Sequence, residues 1–139
     1  MSQLRPQFTA EVFNRTQIGS LPHLLGLEVL EVSEGAMKGR MEVTRQHLAP
    51  NGFLHAASVI ALADTLAGYA TVAHLPEGAK GFTTIELKSN FLGTALKGWI
   101  FCTATSRHRG RTTQVWDAEV TDESGKLLAL FRCSQMILV

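Results

Sequence analysis

Residues 54–75 read LHAASVIALADTLAGYATVAHL, and the reading of this stretch decides the fold. It holds seven alanines, no proline and one formal charge, Asp64. Alanine is the best helix former and proline the worst, so the segment is predicted to be a helix. Apolar residues fall on every side of that helix, which in a water-soluble chain calls for enclosure by other structure. Length alone would also suit a membrane span. Ser58, Asp64, Thr65 and Thr71 interrupt the run, however, and no flanking pattern of basic and aromatic residues anchors it, so no membrane is expected.

On the N-terminal side, residues 27–44 alternate twice, with Val29, Leu30 and Val32 before a Glu34-Gly35 turn and Met37, Met41 and Val43 after it. That is a hairpin pattern. On the C-terminal side four strands are predicted, over residues 83–92, 99–107, 112–121 and 126–138, and an antiparallel meander is their simplest arrangement. Phe8, Val12 and Phe13 at helical spacing, followed by Gly19, Pro22 and Gly26, place a short leading helix within residues 1–20. The chain therefore reads as one domain over residues 1–139, of the α+β class. A curved antiparallel β-sheet wrapped around a long central α-helix is the outline of a hotdog fold.

Composition excludes several functions. The 139 residues are 45% hydrophobic and 18% charged, and 13 Lys and Arg against 12 Asp and Glu leave a net charge of +1. Such a balance gives no bulk attraction to nucleic acid or an anionic membrane, so any anion recognition must be local. Cys102 and Cys133 lie in separate apolar segments and read as reduced core thiols. None of the five histidines stands at a metal-ligating spacing, and no resident metal is expected. The first residues lack the uninterrupted apolar core of a secretory leader, which makes the cytoplasm the expected compartment.

Within this frame Asp64 needs an explanation, because an ionised carboxylate removed from water needs a partner or shifts its pKa. Either it pairs with Arg40 or Arg45 or caps a neighbouring segment, or it is a general base or nucleophile in a sheltered cleft. The turn before the helix delivers His55 and Ala56 to its first turn, where free N–H groups and the helix dipole can hold a polarised carbonyl. Nine residues separate His55 from Asp64, about 13 Å along an ideal helix. One helix cannot bring both to the same atom, and a site that uses both needs a second chain. His55 taken alone is as well read as a capping residue.

NGFLHAASVIALADT (residues 51–65), GFTTIELKSNFLGTA (81–95) and GRTTQVWDAEVTDESGKLLA (110–129) together resemble the acyl-CoA thioesterases of the hotdog superfamily, in particular the phenylacetate-degradation, PaaI-type group. The similarity runs from about Leu21 to Leu138. It implies a thioester hydrolase in which the N–H of Ala56, next to His55, holds the thioester carbonyl, and Asp64 activates water or attacks. It also implies a homodimer or homotetramer that joins the two halves of the site between protomers, and a hydroxyl, matched by Thr84, that positions the water. Two features depart from the pattern. Ala56 and Ala57 stand where the group carries glycines, and Ala49 stands where many members carry an Asn, with Asn51 nearby as substitute or turn former.

Arg107, His108, Arg109 and Arg111 crowd the turn around Gly110 with no acid among them. They suit either a solvated hairpin tip or a clamp for the phosphates of coenzyme A, the use that the resemblance implies. Lys88 and Lys97 are weaker candidates for the same role, and Asn90 and Phe91 suit either the acyl or pantetheine channel of a bound coenzyme A thioester or plain strand packing. Glu86 reads as ion-paired and on the same strand face as Thr84 and Lys88. The expected function is hydrolysis of an acyl- or aryl-CoA thioester, with coenzyme A entering as part of the substrate and no other cofactor. A non-catalytic acyl-CoA-binding or sensing module on the same fold is the alternative, and a dehydratase or hydratase a more distant one.

Overall fold

A computed structural model describes all residues, 1–139. Two short helices, α1 (Ala10–Thr16) and α2 (Leu21–Leu24), precede the hairpin of β1 (Leu27–Ser33) and β2 (Ala36–Glu42). After the long helix α3 (Ala56–Ala73) come β3 (Gly81–Phe91), β4 (Trp99–Arg109), β5 (Thr113–Thr121) and β6 (Leu127–Leu138). The six strands form one antiparallel sheet in the order β1-β2-β4-β5-β6-β3. Helix α3 packs against all six of them. This is the hotdog arrangement predicted from residues 54–75.

The meander holds for β4, β5 and β6 and fails for β3, which pairs with β6 at the far edge instead of with β4. Strand β4 lies beside β2. The seven residues 92–98 between β3 and β4 are longer than the two- to five-residue loops typical of hairpins, and they let the chain return across the sheet. The leading helix is also shorter than expected. Thr9 accepts the Val12 N–H and starts α1 at Ala10, while the preceding residues form no helix and turn at Pro6 and Gln7, where the Phe8 N–H donates to the Arg5 carbonyl. Arg5 there donates from its side chain to the carbonyls of Leu75 and Pro76 just beyond α3.

One core joins helix and sheet. Val59, Leu62, Leu66 and Ala70 of α3 meet Met37, Met41, Ile100, Trp116, Val120 and Phe131 of the sheet, and all are buried. The contact is closest at Gly39 of β2. A Cβ there would stand 2.9 Å from both Leu66 methyls and 2.9 Å from the Glu28 carbonyl oxygen, so only glycine lets strand and helix approach this closely. The hairpin turn is pinned as well: Gly35 N–H donates to Nε2 of fully buried His74, whose Nδ1–H donates to the Ala70 carbonyl.

The expectation of a helix enclosed all round is corrected by the structure. Ala56 and Ala57 are exposed, and Ile60, Ala61, Asp64, Thr65 and Gly68 are only half-buried. This open face lies where the sheet ends, beside edge strand β3, and a Cβ on Gly68 would touch the Phe82 ring at 3.2 Å. Strand β3 is itself largely exposed, with Ile85, Leu87 and Phe91 among its uncovered side chains. The Gly39 contact predicts that Gly39→Ala lowers unfolding free energy by about 1–3 kcal/mol. Urea unfolding checks this, and an unchanged midpoint would show that the Leu66 contact is slack.

Candidate active site

Asp64 stands at the middle of α3 on its open face. Neither expected structural partner reaches it: Arg40 pairs with Glu28 at 2.9 Å and lies over Trp99, and Arg45 makes no ion pair. Its Oδ1 is buried with no hydrogen-bond partner. Desolvation by burial therefore raises the Asp64 pKa above the ordinary aspartate value. Its charge is felt by a buried thiol, Cys133. Burial pushes Cys133 up to about 12, and the charge of Asp64 adds to that shift. Cys102 is likewise raised by burial, and both cysteines are free thiols.

The start of α3 is built by a tight turn. Gly52 adopts φ +90°, the Phe53 N–H donates to Oδ1 of Asn51 at 3.2 Å, and the Leu54 N–H donates to Thr94 at 3.0 Å. Asn51 thus shapes the turn from its exposed position. His55 is the N-cap: its Nδ1 accepts the Ala57 N–H at 2.9 Å, and its carbonyl accepts the Ser58 N–H at 3.0 Å. Because Nδ1 is an acceptor, the neutral ring carries its proton on Nε2. Of the first-turn donors that lack an intrahelical partner, Ala56 N–H is left free and exposed. The cap and the carboxylate belong to one helix and stay apart along it, as the spacing requires.

Strand β3 carries an extra residue between Thr84 and Glu86 in its pairing with β6. This bulge changes which side chains share a face. Thr84 lies opposite fully buried Gln135 and so faces the helix, whereas Glu86 lies opposite Ser134 and Lys88 opposite Arg132, on the outer face. Glu86 therefore does not share a face with Thr84, and the inserted Ile85 is the reason; Glu86 also forms no ion pair, although Lys88 lies on its face. Asn90 also lies on the outer face, opposite Leu130. Lys88 and Asn90 line a shallow outer groove of about 240 Å³ together with Asp117, Glu119 and Arg132.

The basic turn divides. Arg109 is 9% exposed and faces inward, bound to the Glu34 carboxylate, and that contact with the Leu4 N–H lowers the Glu34 pKa. It is a buried structural cation and not a member of a solvent-facing clamp. Arg107 lies 3.7 Å from Asp117, which also takes Arg132 at 2.8 Å. Arg111 is exposed and makes no ion pair. The acids that hold Arg107 and Arg109 come from other strands and turns, so the absence of acids within the turn was a poor guide. Nowhere do three His, Cys, Asp or Glu side chains gather into a metal-binding set.

Gln135 was not among the residues singled out from the sequence. It lies in the inward row of β6 with Phe131, Cys133 and Ile137. A glutamine on that otherwise apolar face was the available signal.

One sheet closed over one helix, with a free N–H at the helix start and an unpaired carboxylate midway along it, defines a hotdog-fold thioester hydrolase. The chain belongs to the thioesterase superfamily, whose model matches residues 51–129. A 1,4-dihydroxy-2-naphthoyl-CoA hydrolase of Listeria monocytogenes is 32% identical over 114 residues, 82% of this chain and 92% of that protein. The acyl-coenzyme A thioesterase PaaI of Escherichia coli is 33% identical over 109 residues, 78% of this chain and 75% of its own. A mutant of the thioesterase PA1618 from Pseudomonas aeruginosa superposes with a TM-score of 0.92 over 97% of each chain, at 26% identity.

Two predictions follow from the buried groups. Cys102 and Cys133 are each 1% exposed, so neither should react with a small disulfide reagent at pH 8 until the protein is unfolded. A thiol that titrates at once in the native protein would contradict the packing of β6. Asp64 has a pKa raised in the folded state, so ionising it costs stability as pH rises from the ordinary value through the folded one. Asp64→Asn should then melt higher than wild type at neutral pH, with the two melting curves converging below about pH 4. A variant less stable than wild type at pH 7 would mean that the carboxylate has a partner.

Proposed function

We propose that the protein hydrolyses acyl-CoA thioesters as a homodimer, alone or within a homotetramer, in which each site takes Asp64 from one protomer and Ala56 of the partner subunit. The observation that carries this reading is the unpaired Asp64 carboxylate on an uncovered helix face beside an exposed edge strand. An eleven-residue open edge bearing Ile85, Leu87 and Phe91 favours pairing with another strand. A second copy of β3 would cover the edge and bring a second α3 alongside the first.

Chemistry then follows from the groups present. The thioester carbonyl accepts the Ala56 N–H, which concentrates positive potential where the oxyanion develops. Asp64, with a raised pKa, takes a proton from water as that water attacks the carbonyl carbon. Thr84, on the helix side of β3, helps to hold the water. Collapse of the tetrahedral intermediate breaks the C–S bond, and Asp64 returns its proton to the departing thiolate. His55 acts by capping α3 and so aiming the free N–H.

Coenzyme A is bound as part of the substrate. Arg111 is the best-placed cation for its phosphates, with Arg107 next. Lys88 and Asn90, on the outer face, could meet only its nucleotide end. The relatives named for CoA thioesters support this substrate class, and the cytoplasm, where such thioesters are made and thiols stay reduced, is the proposed compartment.

The test is complementation between two inactive variants. Asp64→Asn should lower kcat by about 10²–10⁴ on aryl, short and medium acyl-CoA. Ala56→Pro removes the donor at a first-turn position that tolerates proline, after an extended His55. Each heterodimer keeps one intact site, so random exchange of equal amounts should restore about a quarter of wild-type activity. A mixture that stays inactive although its subunits exchange would exclude a site shared between chains.

A further inference from the structure

We infer that Gln135 is a positioning residue for the water-holding hydroxyl of Thr84. The inference rests on the hydrolytic reading above and assigns a role within it. Gln135 is fully buried, and its Oε1 has no hydrogen-bond partner. Leaving a buried acceptor unsatisfied costs stability, so this oxygen calls for a donor among the side chains around it.

The surroundings leave one candidate. Thr71 gives its hydroxyl proton to the Ala67 carbonyl at 2.8 Å and accepts from Gln135 Nε2 at 3.3 Å. That contact orients the amide, with Nε2 on Thr71 and Oε1 turned away from it. Gln135 has two neighbours across the sheet on the helix side, Gln114 in β5 and Thr84 in β3. Gln114 is already committed: its Nε2 donates to the His74 carbonyl at 2.9 Å and to Ser2 at 3.5 Å, and its Oε1 accepts the Trp116 N–H at 2.8 Å. The Thr84 hydroxyl makes no hydrogen bond within the chain. Side chains directly opposite in an antiparallel pair have Cβ atoms about 5 Å apart; Thr84 and Gln135 share that register without a hydrogen bond between them in the single chain, and a turn of the exposed Thr84 side chain about χ1 would bring its hydroxyl to Gln135 Oε1.

This direction of donation matters for the chemistry. An attacking water must keep one lone pair free for the carbonyl carbon, so both of its O–H groups need acceptors. Asp64 is one and takes that proton as the new C–O bond forms; the proton then goes to the thiolate as the C–S bond breaks. The Thr84 oxygen is the second acceptor, provided its own proton points elsewhere. Gln135 holds that proton away from the water. Thr84 touches the water, and Gln135 acts only through Thr84.

Gln135→Met replaces the amide by an apolar chain of similar length and leaves no buried orphan oxygen. The expected result is kcat lower by about tenfold with KM unchanged, and a melting temperature no lower than wild type. In a Thr84→Val background the same substitution should change nothing further, because the hydroxyl it orients is gone. In a Thr84→Ser background, which keeps the hydroxyl, the tenfold loss should return. Gln135→Leu serves as a second replacement should the Met variant fold poorly. Equal losses in the Val and Ser backgrounds, or a fall in melting temperature with no change in kcat, would make Gln135 merely structural and overturn the inference. Wild-type rates for Gln135→Met beside an inactive Asp64→Asn would overturn it while leaving the hydrolytic reading intact. A wild type that releases no coenzyme A from any thioester tested would overturn both.

Discussion

A carboxylate without a partner, on the one helix that every strand touches, is the constraint on which the rest depends. Helix α3 supplies the core on one side and carries Asp64 on the other. The sheet can satisfy the apolar side completely, down to the glycine at position 39 that admits Leu66. It cannot satisfy the carboxylate, because no cation of the chain reaches it. The same helix therefore stabilises the fold with one face and holds a destabilising group with the other, and the raised pKa of Asp64 is the physical trace of that conflict. Strand β3 shares the conflict at the sheet edge, where its exposed apolar side chains adjoin the open helix face.

The helix and hairpin were legible because their signals are local. Alanine content and a lone acid marked α3, and Gly35 between two alternating runs marked the β1–β2 turn, where φ is +71°. What local pattern could not reveal was the neighbour of β3. Its alternation fits a meander as well as it fits an outer edge, and only the length of residues 92–98 hinted at a return across the sheet. Enclosure of α3 was misread for a related reason. Alanine suits both a buried face and an open one, so Ala56, Ala57 and Ala61 carried no information about which side the sheet would leave uncovered.

At the candidate site, the placement of residues fixed by chain spacing was legible in the sequence, and the placement of those fixed by a cross-strand partner was not. Asp64 and the first turn of α3 belong to one element, and their separation follows from helix geometry. Arg109 could not be read this way, because the acid that buries it, Glu34, is 75 residues distant. Glu86 and Thr84 were misassigned to one face because the bulge at Ile85 shifts the period by one residue. Gln135 gains meaning only from its register, between a committed Gln114 and an uncommitted Thr84.

The alanines at positions 56 and 57 bear on the same balance. No residue other than glycine has positive φ anywhere in the chain, so the backbone at the start of α3 does not require glycine there. The Ala56 donor is main chain and survives any side chain but proline. Glycine at either position would loosen the helix by about 1 kcal/mol relative to alanine, and the two alanines stiffen the turn in which His55 Nδ1 holds the Ala57 N–H. In the proposed site, their exposed methyl groups would also stand where a thioester approaches the Ala56 N–H. A better ordered donor would thus come with a narrower approach, and in the proposed site discrimination among acyl groups would begin at the helix start.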